Sequence, residues 1–200
     1  MNNFESTFLQ ANQFERNAGF NWYLDNHNYL RDMSKAFNVP LKITCSIVAV
    51  LSPGMAWQQN VNLAYNILKF KGKLPVHIKT SCYRANLKKA IQIYKTKKVF
   101  PFLHGPKVEM FYYNLFNPFR EQYVTIDRFM LACYYNELNI DNLKKFMTPK
   151  HIETLKQEIR ILARQYELTP CQMQATIWLT YHRIVKSLLS YSGQLQLKIF

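Results

Sequence analysis

Lys107 stands in the string H-G-P-K, residues 104 to 107, directly ahead of an apolar stretch with helical spacing. An amine there has two available uses. It can solvate a helix start, or, when neutral, it can attack an electrophilic carbon, a state favoured by exclusion of water and by nearby cations. Gly105, just before the helix, exposes backbone N–H groups at the positive end of the helix dipole, where a phosphate can be held. Twenty residues on, Asp127 follows an apolar approach in Y-V-T-I-D-R-F. A carboxylate in that setting either caps a helix or stabilises a developing cation in a dry pocket. In C-Q-M-Q-A-T-I-W-L-T-Y-H, Gln174, Trp178 and His182 recur every fourth residue. One helix face would then offer an amide, a flat aromatic surface and an imidazole.

The elements that must carry these side chains read as helices. Trp57, Val61, Ala64, Tyr65 and Leu68 form one stripe, and Tyr83, Leu87, Ile91 and Tyr94 another. Val108, Phe111, Tyr112 and Leu115 follow, ending near Asn117-Pro118, because a proline disfavours helical geometry in the residue before it. Ile152, Leu155, Ile159, Leu162 and Tyr166 make a further face. Thr148-Pro149 and Thr169-Pro170 announce helix starts, and Gln172 completes a capping box with Thr169. The apolar run I-T-C-S-I-V-A-V-L, 43 to 51, also suits a buried strand; with no partner strand evident, it is assigned as a helix. The breaks at Asn38-Val39-Pro40, Ser52-Pro53-Gly54, Lys71-Gly72-Lys73, Thr96-Lys97-Lys98 and Asn117-Pro118 are all short. The expectation is an all-α chain of about nine or ten helices in one compact unit.

Composition narrows the partners. Twenty-six basic against twelve acidic residues leave +14 on 200 residues, which favours polyanions, nucleic acid first. The excess reads as spread along the whole chain, including Lys71, Lys73, Lys88, Lys89, Lys97 and Lys98. Cys45, Cys82, Cys133 and Cys171 lack close pairing, so they are expected as reduced core residues, with no metal and no cofactor. The longest apolar run is too short to span a bilayer and no leader is evident. The expectation is an intracellular protein, in cytoplasm or nucleoid, or nuclear in a eukaryote, without a membrane partner.

In this order, the motifs resemble the helix-hairpin-helix superfamily of base-excision DNA glycosylases, the group of endonuclease III and 8-oxoguanine DNA glycosylase. The likeness runs over about residues 43 to 185. The family hairpin L-P-G-V-G-P-K-x-A, whose lysine is the nucleophile of bifunctional members, is met by G-P-K at Lys107. Its V-D-x-H, about twenty residues later, is met by T-I-D-R-F at Asp127. Its L-L-S-x-Q followed by V-N-x-A resembles Leu51-Ser52-Pro53-Gly54 followed by Val61-Asn62-Leu63-Ala64, and W-A-Q-A-V-L-F resembles the segment from Gln172 to Trp178. There are departures: Leu103 replaces the first hairpin glycine, Phe129 the histidine after the aspartate, and the intercalating glutamine falls near Gly54. The four-cysteine cluster of endonuclease III is absent.

The resemblance implies a two-lobed fold, with one lobe over about 36–124, its hairpin at 99–117, and the other over about 1–35 plus 125–200. It implies a monomer acting on double-stranded DNA from which one base is flipped. His104, Gly105 and Arg128 would contact DNA, and Gln174, Trp178 and His182 the base. Lys107 and Asp127 would cleave the N-glycosidic bond, with lyase activity from the same amine. Two alternatives share the scaffold: an enzyme that remakes a DNA base without excising it, and a non-catalytic DNA-binding protein.

Overall fold

A computed structural model of the chain describes residues 3–75, 78 and 80–191. They form α1 (Asn3–Leu9), α2 (Gln13–Ala36), α3 (Leu41–Leu51), α4 (Trp57–Lys69), α5 (Arg84–Thr96), α6 (Pro106–Phe116), α7 (Arg128–Tyr135), α8 (Ile140–Leu143), a 3-10 turn (Lys144–Phe146), α9 (Pro149–Gln165) and α10 (Pro170–Tyr191). The protein is all-α, with no strand among the described residues. Two compact units divide the chain, one of residues 26–117 and one of residues 3–25 with 118–191. The sequence-based borders stood near 36 and 124, and the final stretch of that second lobe, 192–200, lies outside the described residues.

The unit 26–117 is built on α3, in which every residue from Ile43 to Leu51 is buried. α4, α5 and α6 each pack against it. An all-round apolar helix can only be stable when enclosed. Its buried hydroxyls are satisfied: Ser34 donates to Thr44 Oγ1 at 2.9 Å, and Ser46 to the carbonyl of Ile43 at 2.8 Å. The expected stripe on α5 is corrected. Ala90 and Ile93 are the buried residues of that helix, and Tyr83 is its N-cap, 60% exposed. The four-residue spacing that links Tyr83 to Leu87 begins outside the helix, so it selected a neighbouring face. Tyr65 is likewise 41% exposed and lies edge-on to Phe37.

In the other unit α1, α7, α9 and α10 surround a core that includes Phe4, Phe8, Met130, Leu155, Ile159, Met173 and Ile177. The threonine starts behave as the sequence indicates. Thr148 accepts the N–H of His151, and Thr169 and Gln172 form their reciprocal box, with Gln172 Oε1 accepting the Thr169 N–H at 3.0 Å. A further box is Asn12-x-x-Glu15: the Asn12 N–H donates to Glu15 Oε2 at 3.0 Å, and the Glu15 N–H to Asn12 Oδ1 at 2.9 Å. Glu15 also accepts from Arg183 Nε at 2.6 Å. Burial acts to raise the Glu15 pKa, but the Arg183 and Asn12 hydrogen bonds outweigh it and leave the carboxyl below its ordinary range.

All four cysteines are free thiols. Cys45, Cys133 and Cys171 are buried as expected, and burial pushes the Cys133 thiol up to about 11. Cys82 is half-buried rather than core, because it lies in the loop ahead of α5.

Gly19 of α2 lies close against Thr176 of α10. A Cβ there would meet the Thr176 backbone at 2.6 Å and its hydroxyl at 2.2 Å. Gly19→Ala is expected to destabilise the protein by about 1–3 kcal/mol, the usual range for overpacking a close helix contact. Urea unfolding checks this, and an unchanged midpoint would mean that the two helices separate at little cost.

Candidate nucleic-acid site

Lys107 lies on the first turn of α6, half-buried, behind a helix start that only glycine serves well. Gly105 is the N-cap, with φ of 96°, in the range that side chains avoid. A Cβ built there meets nothing within 4 Å, so the backbone angle, not crowding, requires glycine. Pro106 follows at the first helical position, where its missing N–H costs nothing. Lys107 Nζ donates to Ser52 Oγ at 3.4 Å. Ser52 is 9% exposed and is the C-cap of α3, so the buried helix positions the hydroxyl that meets the amine. The approach to the turn is anchored by Val99 and Leu103, both buried. The N–H groups of Phe102 and Leu103 both donate to the Val99 carbonyl, at 3.0 and 3.3 Å. Leu103 is thus held in the turn by burial of its side chain and by its backbone N–H. His104 and Gly105 are exposed beside it.

Asp127 is both an N-cap and part of a cluster. Its Oδ1 accepts the Met130 N–H at 2.9 Å, starting α7, and its Oδ2 accepts the Trp178 indole N–H at 3.2 Å. With each oxygen engaged, the carboxylate plane is fixed. Trp178 packs against Phe129, ring centroids 6.0 Å apart, and against His182 at 5.4 Å. His182 stacks on Phe129, 5.5 Å away and inclined by 24°. The unit thus brings together Asp127, Trp178, His182 and Phe129. Phe129, noted in the sequence only as a departure, is the surface that orients the imidazole.

Gln174 is placed differently. It is 4% exposed, and its Oε1 accepts the Tyr23 hydroxyl at 2.9 Å. Its amide oxygen is thus engaged inside the unit, and sequence spacing alone could not show the partner, 151 residues away. Arg128, the first residue of α7, is half-buried.

The charge is not spread along the chain as the sequence reading had it. Residues 26–117 hold fourteen lysines and arginines against two acids, Asp32 and Glu109, a net +12; all other residues hold twelve against ten, a net +2. From Lys69 to Lys107, both included, there are eleven basic residues and no acid at all. A linear count hides this, because the near-neutral unit is made from both ends of the chain. No single helix among the described residues is long and apolar enough to cross a membrane.

Two measurements follow from this geometry. Burial, and secondarily the charge of Lys186, hold the His182 pKa below its ordinary 6.5. The folded protein therefore takes up this proton at lower pH than the unfolded chain. The associated stability is complete above 6.5 and is lost as pH falls toward the folded value. An NMR titration is expected to give a midpoint below 6.5, and a higher one would mean a solvated ring. Gln174→Ala should lower the unfolding free energy by about 1–3 kcal/mol, since the buried Tyr23 hydroxyl loses this acceptor. Unchanged stability would return Gln174 to the set of residues available to a ligand.

No curated protein and no solved structure matches the chain. One family model does, over residues 1–184, and it is described as a family of unknown function (DUF7178). With nearly the whole chain matched, the protein belongs to that family.

Proposed function

We propose that the protein is a DNA glycosylase with lyase activity, which takes a damaged or modified base out of duplex DNA and cleaves its N-glycosidic bond. The observation that carries this reading is Lys107 itself. Its amine sits half-buried on the first turn of α6, against Ser52, at the end of a segment that holds eleven cations and no carboxylate. A lysine needed only to solvate a helix end requires neither the buried hydroxyl partner nor the glycine turn before it. Polyphosphate attraction by the unit 26–117 offsets part of the few kcal/mol that unstacking a base costs.

In the reaction, the bond between C1′ and the base nitrogen breaks and its electron pair leaves with the base, which gains a proton. Positive charge develops on the sugar, and the Asp127 carboxylate stabilises it. The neutral Lys107 amine bonds to C1′ and loses a proton. The sugar ring opens as the C1′–O4′ bond breaks and O4′ takes up a proton, leaving a protonated Schiff base at C1′. Loss of a C2′ proton then expels the 3′ phosphate by β-elimination and cuts the strand. Trp178, through its N–H to Asp127, is a positioning residue for that carboxylate. His104, Gly105 and Arg128 are assigned to the phosphates, and His182 and Trp178 to the base.

Borohydride, which reduces a Schiff base to a stable amine, is expected to trap the protein on abasic or lesion-containing duplexes, with the adduct mapping to Lys107. Lys107→Gln should abolish trapping while leaving most of the salt-sensitive binding, because one charge among twenty-six changes the field little. Asp127→Asn should slow base release severely and spare part of the lyase step on DNA that is already abasic. Trapping at wild-type level by Lys107→Gln would assign the amine elsewhere. No trapping by the wild type on any substrate, with DNA binding intact, would favour the base-remodelling enzyme or the non-catalytic binder.

A further inference from the structure

The end of α4 and the end of α5 meet at a corner made almost entirely of lysine. Lys71 and Gly72 close α4: the Gly72 N–H reaches back to the Ile67 carbonyl at 2.8 Å and the Lys71 N–H to Leu68 at 3.1 Å. Gly72 lies on the Tyr94 ring, since a Cβ there would be 3.1 Å from Tyr94 Cδ1 and 3.8 Å from Lys95 Cε. The ammonium of Lys97 covers the same ring at 3.7 Å from its centroid. One aromatic side chain therefore joins the 71–73 turn to the 95–98 helix end. Lys71, Lys73, Lys95, Lys97 and Lys98 are all exposed.

Two features set this corner apart from an ordinary solvated face. Lys71 and Lys97 both hold the left-handed backbone, at φ of 51° and 56°, where glycine or asparagine is the cheaper residue. A cation at each helix C-terminus is favourable to the dipole, which accounts for those two charges. Lys95 lies at the corner by its Cε, and Lys73 and Lys98 directly follow the two helix ends in the chain, where no carboxylate occurs from Lys69 to Lys107. None of the five makes an ion pair among the described residues. Like charges held together without counter-charges repel, and a bound polyanion relieves that repulsion.

We propose that this corner is a second contact surface for the phosphodiester backbone of duplex DNA, apart from the Gly105–Lys107 helix start. It rests on the nucleic-acid reading of the proposed function and extends it from one turn to a track of phosphates. A nucleic-acid strand presents a charge every ~3.4 Å along its axis, a repeat that an array of lysines on two adjoining elements can follow. The corner belongs to the same acid-free segment as Lys107. At the corner itself Tyr94 is covered by Gly72 and the Lys97 ammonium, while Phe100, two residues past Lys98, is exposed; a lipid surface would take up that ring as well as the charge, which the vesicle measurement below reads.

The test compares duplex DNA affinity across a salt titration for the wild type, for Lys71→Gln with Lys73→Gln and Lys98→Gln, and for the matching lysine-to-arginine triple. Neutralising Lys144, Lys145 and Lys150 in the other unit is the control. The corner glutamine variant should bind at least about tenfold more weakly at moderate salt, with a log–log slope reduced by roughly 2–3 units. The arginine triple should bind as the wild type does, and the control should keep the wild-type slope. A wild-type slope in the corner glutamine variant, or an equal reduction in the control, overturns the corner while leaving the proposed function standing. No duplex binding by the wild type at low salt overturns both. Sedimentation with phosphatidylserine vesicles that is lost in the corner glutamine variant, with its DNA binding unchanged, assigns the corner to a membrane surface and overturns the proposal.

Discussion

The burial of α3 is the constraint on which the unit 26–117 depends. Nine consecutive residues without an exposed face cannot exist as a surface helix, so α4, α5 and α6 must enclose it. That enclosure fixes where the ends of the surrounding helices fall. Ser52, the cap that ends α3, is thereby brought within hydrogen-bonding distance of Lys107 on α6. The half-buried amine of α6 is thus met by a helix that is buried on every side, and the link between them is one hydroxyl.

Asp127 shows how a helix cap and a side-chain contact from another helix coexist in a single carboxylate. As N-cap of α7 it satisfies a backbone N–H that the helix leaves unpaired, and the remaining oxygen is aligned by Trp178. Treating capping and catalysis as competing explanations misses this, since a cap holds the carboxylate in one orientation, which preorganised electrostatics requires. Phe129 and Trp178 then leave the neighbouring His182 in surroundings where a neutral imidazole is favoured.

The two units differ in charge. One carries nearly all of the excess cations and the other is close to neutral. Core formation does not require this asymmetry, because long-range charge acts on partners and association more than on the fold. In the near-neutral unit some carboxylates pair with its own cations, as in Glu15 with Arg183 and Glu153 with Arg160.

Much of this was legible in the amino-acid order. Capping side chains act within three or four residues, so Thr148, Thr169 with Gln172, and the Gly105-Pro106 start could be read directly, and the 3.6-residue period of apolar side chains marked the segments of α4, α5, α6 and α9 as helical. The same locality explains the failures. The face that α5 buries depends on where α3 lies, so the Tyr83 stripe was the wrong one. The Gln174 partner is 151 residues away, and the Trp178 partner 51. The sequence by itself determined that the chain is helical and where the threonine-capped helices and the Gly105-Pro106 helix start, because these follow from neighbours along the chain. Only the tertiary structure decided that Gln174 is occupied, that Asp127 is held by Trp178, that Lys107 meets Ser52, and that the cations gather in one unit. Each of these is a contact or a sum between residues that the chain order keeps apart.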